Sequence, residues 1–184
     1  MKKQYSNLFI TAAIAVLFSC KNSASEAEWK KLQLGSKGIT VEAPFSYQEK
    51  NMEAQLTPSV RQKVKTLETF VNEEKGNYYA VNIAEYAQDV TFSSEAAING
   101  ALTEMKMRAG AELSNRKDET KQINGNEAAL TQANFSDKKN GKMELQMAIL
   151  NKRNCMFQVI CLYKDGDAKA NEVATRIIES ININ

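Results

Sequence analysis

The chain of 184 residues contains no histidine. Histidine is the side chain whose ordinary pKa lies nearest neutrality, and it is the commonest general base of hydrolases and a frequent zinc ligand. Its absence excludes Ser-His-Asp and Cys-His catalysis and every zinc site that contains histidine. An enzyme built from this chain would have to use paired carboxylates, or a hydroxyl group with a lysine.

The sequence also lacks a hydrophobic run long enough to cross a membrane. Residues 8–18 are mostly apolar, but a membrane-spanning helix needs about 20 such residues. Lys2 and Lys3 precede this run, and Lys21 follows it closely. A short apolar stretch behind a basic start is typical of a secretory signal peptide. We therefore expect residues 1–19 to be a signal peptide that is removed.

The end of this stretch, Leu17-Phe18-Ser19-Cys20, resembles the lipobox of bacterial lipoproteins. In proteins with that motif, the cysteine sulfur receives a diacylglyceryl group and a signal peptidase cuts just before the cysteine. The resemblance implies that Cys20 is the lipidation site and the first residue of the mature chain. Two or three acyl chains anchor a protein stably, because each buried methylene contributes about 0.8 kcal/mol. The alternative is a signal peptide cut elsewhere, with Cys20 incidental.

The residues after Cys20 predict a tether and a destination. Residues 20–30 are small, polar and charged, as in flexible linkers, and residues 31–184 have the length of a single domain. Lys21 follows the predicted anchor, whereas an Asp there favours retention in the inner membrane in the enterobacterial sorting pattern. The sequence therefore predicts lipid anchoring to the outer membrane, on its periplasmic face or at the cell surface.

The mature chain is electrically neutral. Removal of Lys2 and Lys3 reduces the 24 basic residues to 22, equal to the 22 acidic ones. A neutral domain has no global electrostatic attraction to nucleic acid, and basic pairs such as Lys152-Arg153 fall in predicted turns. We expect no nucleic-acid partner, and we expect the membrane contact to run through the lipid on Cys20.

Three short motifs suggest chemistry without defining it. Residues 114–117 and 136–139 match S-x-x-K, but neither lies at a predicted helix start and the partner motifs of that enzyme class are missing. Asp165-Gly166-Asp167 resembles the beginning of a calcium loop, but the later positions do not hold the EF-hand ligands. A turn followed by a helix cap is the better interpretation. We therefore expect no catalytic residues, no metal and no cofactor.

The two remaining cysteines are predicted to be structural. If residues 155–163 form one strand, Cys155 and Cys161 are about 20 Å apart at ~3.3 Å per residue. A disulfide needs Cα atoms within about 7 Å, so we expect free thiols that pack in the core.

Three tyrosines on another predicted strand are candidates for ligand binding. Tyr78 and Tyr86 would share one face of that strand, and Tyr79 would lie on the other. Packing in the core is the alternative for all three.

Residue periodicity predicts strands alternating with a few helices. Apolar residues between 93 and 110 recur at helical spacing, after a cap at Ser93 or Ser94 and before Gly110. The other predicted elements are a strand at 38–44, a short helix near 58–64 followed by a strand, a strand at 77–87, a meander of strands from 113 to 163 with an Asn-Gly turn at 124–125, and a final helix capped by Asp167.

The strand at 155–163 determines the predicted architecture, because it is apolar on both faces. Only a strand covered on both sides tolerates that composition, so we place it centrally with helices on both faces. The predicted fold class is α+β, a three-layer α/β/α sandwich with a mostly antiparallel central sheet.

This order of elements resembles the PsbP-like fold over residues 30–183. The landmarks are the strand GITVEAP (38–44), the helix SSEAAINGALTEMKM (93–107), the turn INGNEA (123–128) and the closing helix ATRIIESINI (174–183). The fold is shared by the extrinsic photosystem II protein, by a small Ran-binding nuclear import factor and by bacterial lipoproteins of uncharacterised function.

The resemblance implies a fold that hosts binding and scaffolding roles. We therefore expect a non-catalytic envelope lipoprotein that engages an envelope protein, a peptidoglycan-associated partner or a small ligand. The alternative is a histidine-independent envelope hydrolase that uses carboxylate or hydroxyl groups.

Overall fold

The structure is a computed structural model that describes residues 28–53, 56, 58–87, 93–137 and 141–183. The predicted signal peptide, Cys20 and most of the predicted tether lie outside these residues. The helices are α1 (Pro58–Arg61), α2 (Ser94–Ala109) and α3 (Ala168–Glu179). The strands are β1 (Lys30–Leu34), β2 (Ile39–Ala43), β3 (Gln48–Glu49), β4 (Val64–Glu74), β5 (Asn77–Tyr86), β6 (Glu112–Ile123), β7 (Asn126–Asp137), β8 (Gly141–Lys152), β9 (Cys155–Lys164) and β10 (Asn182–Ile183).

The strands of the described residues form two sheets with antiparallel pairing. The larger sheet has seven strands in the order β3-β4-β5-β9-β8-β7-β6, and the smaller one has the order β1-β2-β10. β9 is the fourth of the seven strands, which confirms the central position predicted from its two apolar faces. The hairpin from β6 to β7 turns at Asn124 and Gly125, both with positive φ (47° and 80°). This is the geometry that an Asn-Gly turn provides.

Helix α2 begins and ends where the sequence predicts. The Oγ of Ser93 accepts a hydrogen bond from the backbone N–H of Ala96 at 3.2 Å, and Gly110 ends the helix in the left-handed conformation. The apolar side of α2 covers one face of the large sheet, here called the α2 face. This cluster contains Ile98 and Leu102 of the helix and Leu145, Met147 and Ile149 of β8.

Helix α3 packs on the residues of β8 and β9 that alternate with those of the α2 face. Asp167 caps the helix, since its Oδ1 accepts the N–H of Ala170 at 3.0 Å. Ala170, Ala174, Ile177 and Ile178 of this helix are buried, and each fully buried Ile contributes about 1.5–3 kcal/mol. The surface under α3 is called the α3 face here. Its cluster includes Ala170, Ala174, Ile177, Ile178, Ala148, Leu150, Phe157 and Val159.

The small sheet is the main departure from the predicted architecture, which has one central sheet. Ile39, Val41 and Ala43 of β2 are fully buried in the same cluster as α3. β2 therefore belongs to a second sheet, which packs on α3. The fold is a sheet-dominated α+β arrangement with two helices of several turns. β10 follows α3 directly and pairs Asn182 with Thr40.

The last residues of the predicted tether are among the described residues and contact the domain. β1 begins at Lys30, which is opposite Ala43 in β2. Trp29 before it packs against the core cluster of α3, and the guanidinium of Arg176 lies over its ring. None of the helices in the described parts of the chain is long and apolar enough to cross a membrane.

Candidate functional site

The α3 face of the large sheet changes from apolar to polar along the strands. On β8, Ala148 and Leu150 are fully buried in the core, whereas Glu144 and Gln146 on the same face are polar. On β7, Gln132 occupies the corresponding polar position. The polar end lies beside the first turns of α3, where Asn171 bonds to Gln146, and it forms a concavity of about 460 Å³. We call this concavity the polar groove; it is lined by Asn115, Arg116, Lys117, Gln132, Ala133, Asn134, Glu144, Leu145, Gln146 and Tyr163.

A hydrogen-bond network joins the floor of the groove to α3. The Nε2 of Gln146 donates to the Tyr163 hydroxyl at 2.8 Å and to Oδ1 of Asn171 at 2.7 Å. The Tyr163 hydroxyl donates to the same Asn171 oxygen at 2.8 Å. Gln146 and Tyr163 are only 6% and 1% exposed. This network is fixed by the fold, because buried polar groups that are satisfied in this way hold one geometry.

The two buried groups of this network present defined hydrogen-bonding properties. Burial raises the pKa of the Tyr163 phenol well above its ordinary value, so the hydroxyl stays neutral at physiological pH. The Gln146 amide donates through Nε2, and its Oε1 accepts no hydrogen bond from the described residues. A carboxamide carries two acceptor lone pairs on that oxygen. The Oε1 of Gln146 can therefore accept a hydrogen bond from a ligand at the floor of the groove.

One wall of the groove is an irregular part of the edge strand β6. The register with β7 shifts between the pairs Ser114–Asn134 and Lys117–Gln132, which places one extra residue in β6. Asn115 takes the left-handed conformation there, with φ of 53°, and its Nδ2 lies 3.4 Å from Oδ1 of Asn134. Bulges of this kind redirect side chains and are frequent beside functional sites.

The charges around the groove nearly cancel. Arg116 is engaged with Asp118, with Nη2 2.7 Å from Oδ2. Lys117 has no ion pair among the described residues, and Glu144 contributes the one carboxylate of the lining. The Oε1 of Glu144 accepts the backbone N–H of Gly166 at 3.3 Å. A lysine, a carboxylate and several carboxamides make a surface that mixes donors and acceptors and has almost no net charge.

The polar groove lacks two common arrangements of catalytic side chains. Its single carboxylate excludes a pair of carboxylates, and it has no serine, threonine or cysteine that could act as a nucleophile. Within the described residues, no three His, Cys, Asp or Glu side chains come together as metal ligands would. The groove has the features of a binding site, where a few polar groups at defined positions fix the orientation of a ligand.

Where the structure describes them, the two S-x-x-K matches and the Asp-Gly-Asp motif lie in the positions predicted from the sequence. Ser114 and Lys117 are on β6, on either side of its bulge, and not at the start of a helix. Ser136 is on β7, while Lys139 lies outside the described residues. Residues 165–167 form the turn and the cap before α3.

The tyrosine candidates are not part of the groove. Tyr79 is 3% exposed and packs against Phe45, with a ring-centroid distance of 4.8 Å. Tyr78 and Tyr86 are half-buried on the opposite face of β5, as their spacing predicts, and the Tyr86 hydroxyl lies 3.8 Å from the sulfur of Met156. A ligand-binding role for these residues stays a prediction, as does lipidation of Cys20, which lies outside the described residues.

The cysteines of β9 are free thiols. Cys161 is fully buried and Cys155 is half-buried. Burial raises the pKa of both thiols above the ordinary value, which makes them poor nucleophiles.

Solved structures of other proteins resemble this fold. The cyanobacterial PsbP protein CyanoP from Synechocystis sp. PCC 6803 is 13% identical, with a TM-score of 0.62 over 91% of this chain and 99% of that chain. The chain has a PsbP-like fold. LpqN of Mycobacterium tuberculosis, which also resembles it, is 12% identical, with a TM-score of 0.52 over 85% of this chain and 91% of that chain.

The PsbP-like fold predicted from the order of elements is therefore confirmed. No protein-family model matches the sequence, and no curated protein matches it either. At this level of identity the likeness concerns the fold alone and does not define a function.

Proposed function

We propose that this chain is a lipid-anchored protein of the cell envelope whose PsbP-like domain is a non-catalytic binding or scaffolding module. The observation that carries this proposal is the polar groove. Its buried floor is held by the network around Gln146 and Tyr163, yet it offers unpaired hydrogen-bonding groups and no serine, threonine or cysteine nucleophile. A surface of this composition holds another component of the envelope without transforming it.

The location follows from the N-terminal residues. The lipobox-like Leu17–Cys20 supports acylation of Cys20, and Lys21 supports sorting to the outer membrane. LpqN, which shares the fold, is described as involved in cell envelope biogenesis. An envelope function for this chain is consistent with both.

The same proposal includes the finer features expected from the sequence. α2 and α3 are taken as the outer layers of an α/β/α sandwich, and the membrane contact is made through the lipid on Cys20. The neutral mature chain supports an envelope partner rather than nucleic acid. The alternative of a hydrolase that uses carboxylates is not favoured, because Glu144 is alone in the groove.

The anchor is tested by replacing Cys20 with Ala and following membrane fractionation and intact mass. We expect the wild-type protein in the membrane fraction with a mass increased by acyl chains, and the variant without that increase. Replacing Cys155 with Ala is the matched control and should leave both properties unchanged. A Cys20→Ala protein that stays membrane-bound at the wild-type mass would show that this cysteine is not lipidated.

The binding role is tested by photo-crosslinking in intact cells. A diazirine side chain at position 132 points into the groove, and one at position 122, an exposed glutamine on the neighbouring strand β6, points to the opposite face. We expect a discrete adduct from position 132 and none from position 122. Turnover of an envelope substrate by the purified protein would contradict the non-catalytic role.

A further inference from the structure

The composition of the polar groove restricts the chemistry of its ligand. We propose that the groove binds an uncharged, polyhydroxylated ligand of the saccharide class. This inference rests on the proposed function and names the kind of component that the groove holds. The structural basis is the juxtaposition of the Gln132, Asn134 and Gln146 carboxamides with Glu144 and Lys117 on one sheet surface.

An anionic ligand does not fit this surface. Anion sites present donors only, usually arginine or lysine side chains and backbone N–H groups. Here Arg116 is already paired with Asp118, and the Glu144 carboxylate would repel an anion bound at Lys117. The Gln146 Oε1 is an acceptor and would also face the anion unfavourably.

An apolar ligand finds few aliphatic side chains in the groove. Ala133 and Leu145 are the only aliphatic residues of the lining, and they alternate with the polar residues of β7 and β8. Leu145 packs in the cluster of α2 on the opposite face. These two residues therefore contribute mainly backbone to the groove, and an acyl chain would find no aliphatic side chain to pack against there.

A peptide is also disfavoured by the structure. Extended peptides bind through an open strand edge together with pockets for their side chains. The floor strands β7, β8 and β9 are paired on both sides, so their backbone groups are already used. The open edge strand β6 is irregular beside the groove and carries charges at Lys117 and Asp118, which discourage pairing.

A saccharide is the ligand class that remains, and its hydroxyl groups match the polar groups of the groove. Each hydroxyl group both donates and accepts a hydrogen bond, as the carboxamides of Gln132 and Asn134 do, while Gln146 offers its Oε1 as an acceptor. The Glu144 carboxylate accepts from hydroxyls, and the ammonium of Lys117 donates to them. Tyr163 is the one aromatic residue of the lining and is only 1% exposed, so no ring is available for stacking. Because recognition rests on hydrogen bonds alone, we expect weak binding. The experiment therefore needs a method that detects weak complexes.

Saturation-transfer difference NMR on the full chain, purified from expressing cells, detects such binding. The probes are maltotriose and tri-N-acetylchitotriose, with the capped peptide acetyl-Ala-Ala-Ala-amide and inorganic phosphate (followed by ³¹P line broadening) as comparison ligands. We expect saturation transfer to at least one trisaccharide and no binding of the comparison ligands. In the double variant Gln132→Ala/Asn134→Ala, the Kd of that trisaccharide should rise at least fivefold. The matched control Gln122→Ala, on the opposite face of β6, should leave it unchanged.

Absence of transfer to both trisaccharides would overturn the inference, as would transfer that the double variant does not reduce. Binding of the peptide or of phosphate in place of the sugars would overturn it as well. The thermal unfolding midpoints of the variants show whether a loss of binding comes from the groove or from unfolding.

If crosslinking at position 132 captures a protein while the sugars fail to bind, the proposed function stands and the saccharide inference falls. If neither crosslinking nor any probe gives a signal, both fall.

Discussion

The guanidinium carbon of Arg176 lies 4.0 Å from the centroid of the Trp29 ring. The same guanidinium donates to Oε2 of Glu42 at 3.0 Å. Trp29 stands nine residues after the predicted anchor Cys20, and Arg176 belongs to the last turn of α3. The pair therefore joins the first described residues to the helix whose first turns border the polar groove.

A double-mutant cycle measures this pair. Trp29→Ala and Arg176→Ala should each lower the free energy of unfolding, and the coupling between them should be about 0.5–1 kcal/mol, as for cation–π pairs at exposed sites. The cycle of Trp29→Ala with Lys121→Ala, a lysine on β6, is the control and should show additive effects. Urea unfolding followed by circular dichroism provides the free energies, and coupling near zero would show that the contact contributes nothing.

The buried network of the groove predicts the effect of a conservative substitution. Tyr163→Phe removes a hydroxyl that donates to Asn171 and accepts from Gln146. We expect the free energy of unfolding to fall by about 1–3 kcal/mol, because buried polar groups lose their partner. Tyr78→Phe is the control, since its hydroxyl has no hydrogen bond to the described residues, and it should cost less. Equal losses in chemical-denaturation experiments would show that the network has no special role.

The acid stability of the domain should depend in part on Asp118. The hydrogen bond from Arg116 lowers the pKa of this carboxyl, and a hydrogen bond from Thr131 acts in the same direction. The stabilisation is therefore present above the unfolded-state pKa of about 3.9 and is lost as the pH falls through the lower folded-state value.

The corresponding measurement is urea unfolding between pH 5 and pH 2. Asp118→Asn should lose less stability than the wild type over this interval, because the variant has no charge to neutralise at this position. Glu127→Gln, at an exposed position of β7, is the control and should follow the wild type more closely. An Asp118→Asn curve parallel to that of the wild type would exclude the contribution of this carboxylate.

The thiols of β9 should differ in reactivity. Cys155 is half-buried and Cys161 is fully buried, and burial raises the pKa of both. Native protein treated with a maleimide should be labelled at Cys155 first and at Cys161 only at the rate of unfolding. Mass spectrometry of peptides identifies the sites, and Cys155→Ser is the control that leaves only the slow reaction. A disulfide between the two residues would contradict their placement on one strand.

Local patterns predict the elements that have strong signals of their own. The helix cap at Ser93, the left-handed Gly110 and the two apolar faces of β9 each arise from neighbouring residues, and all three are confirmed. β1 and β10 were not predicted, because a lysine-rich strand and a two-residue strand are defined by their pairing with β2 and not by their own sequence. Such elements form through contacts between residues that are distant in the sequence.

The polar groove has one trace in the sequence, and it is visible only in retrospect. Along β8, Glu144 and Gln146 share a face with Ala148 and Leu150, so the face changes from polar to apolar within a single strand. That change lies beside the first turns of α3, where Gln146 bonds to Asn171. The sequence does not predict the groove itself, because it also requires the bulge of β6 and the pairing of four strands.

The bulge lies near the start of β6, and the other end of β6 lies close to the point where the predicted tether joins β1. Asn115 lines the groove, whereas Asn124 borders the depression that also contains Arg176 and Lys31. Nine residues of strand separate them by about 30 Å at ~3.3 Å per residue. The residues from Cys20 to Trp29 add at most about 30 Å when extended. If Cys20 carries the lipid, the groove samples a shell up to roughly 60 Å from the bilayer, and membrane attachment raises the effective concentration of any immobile ligand within that shell.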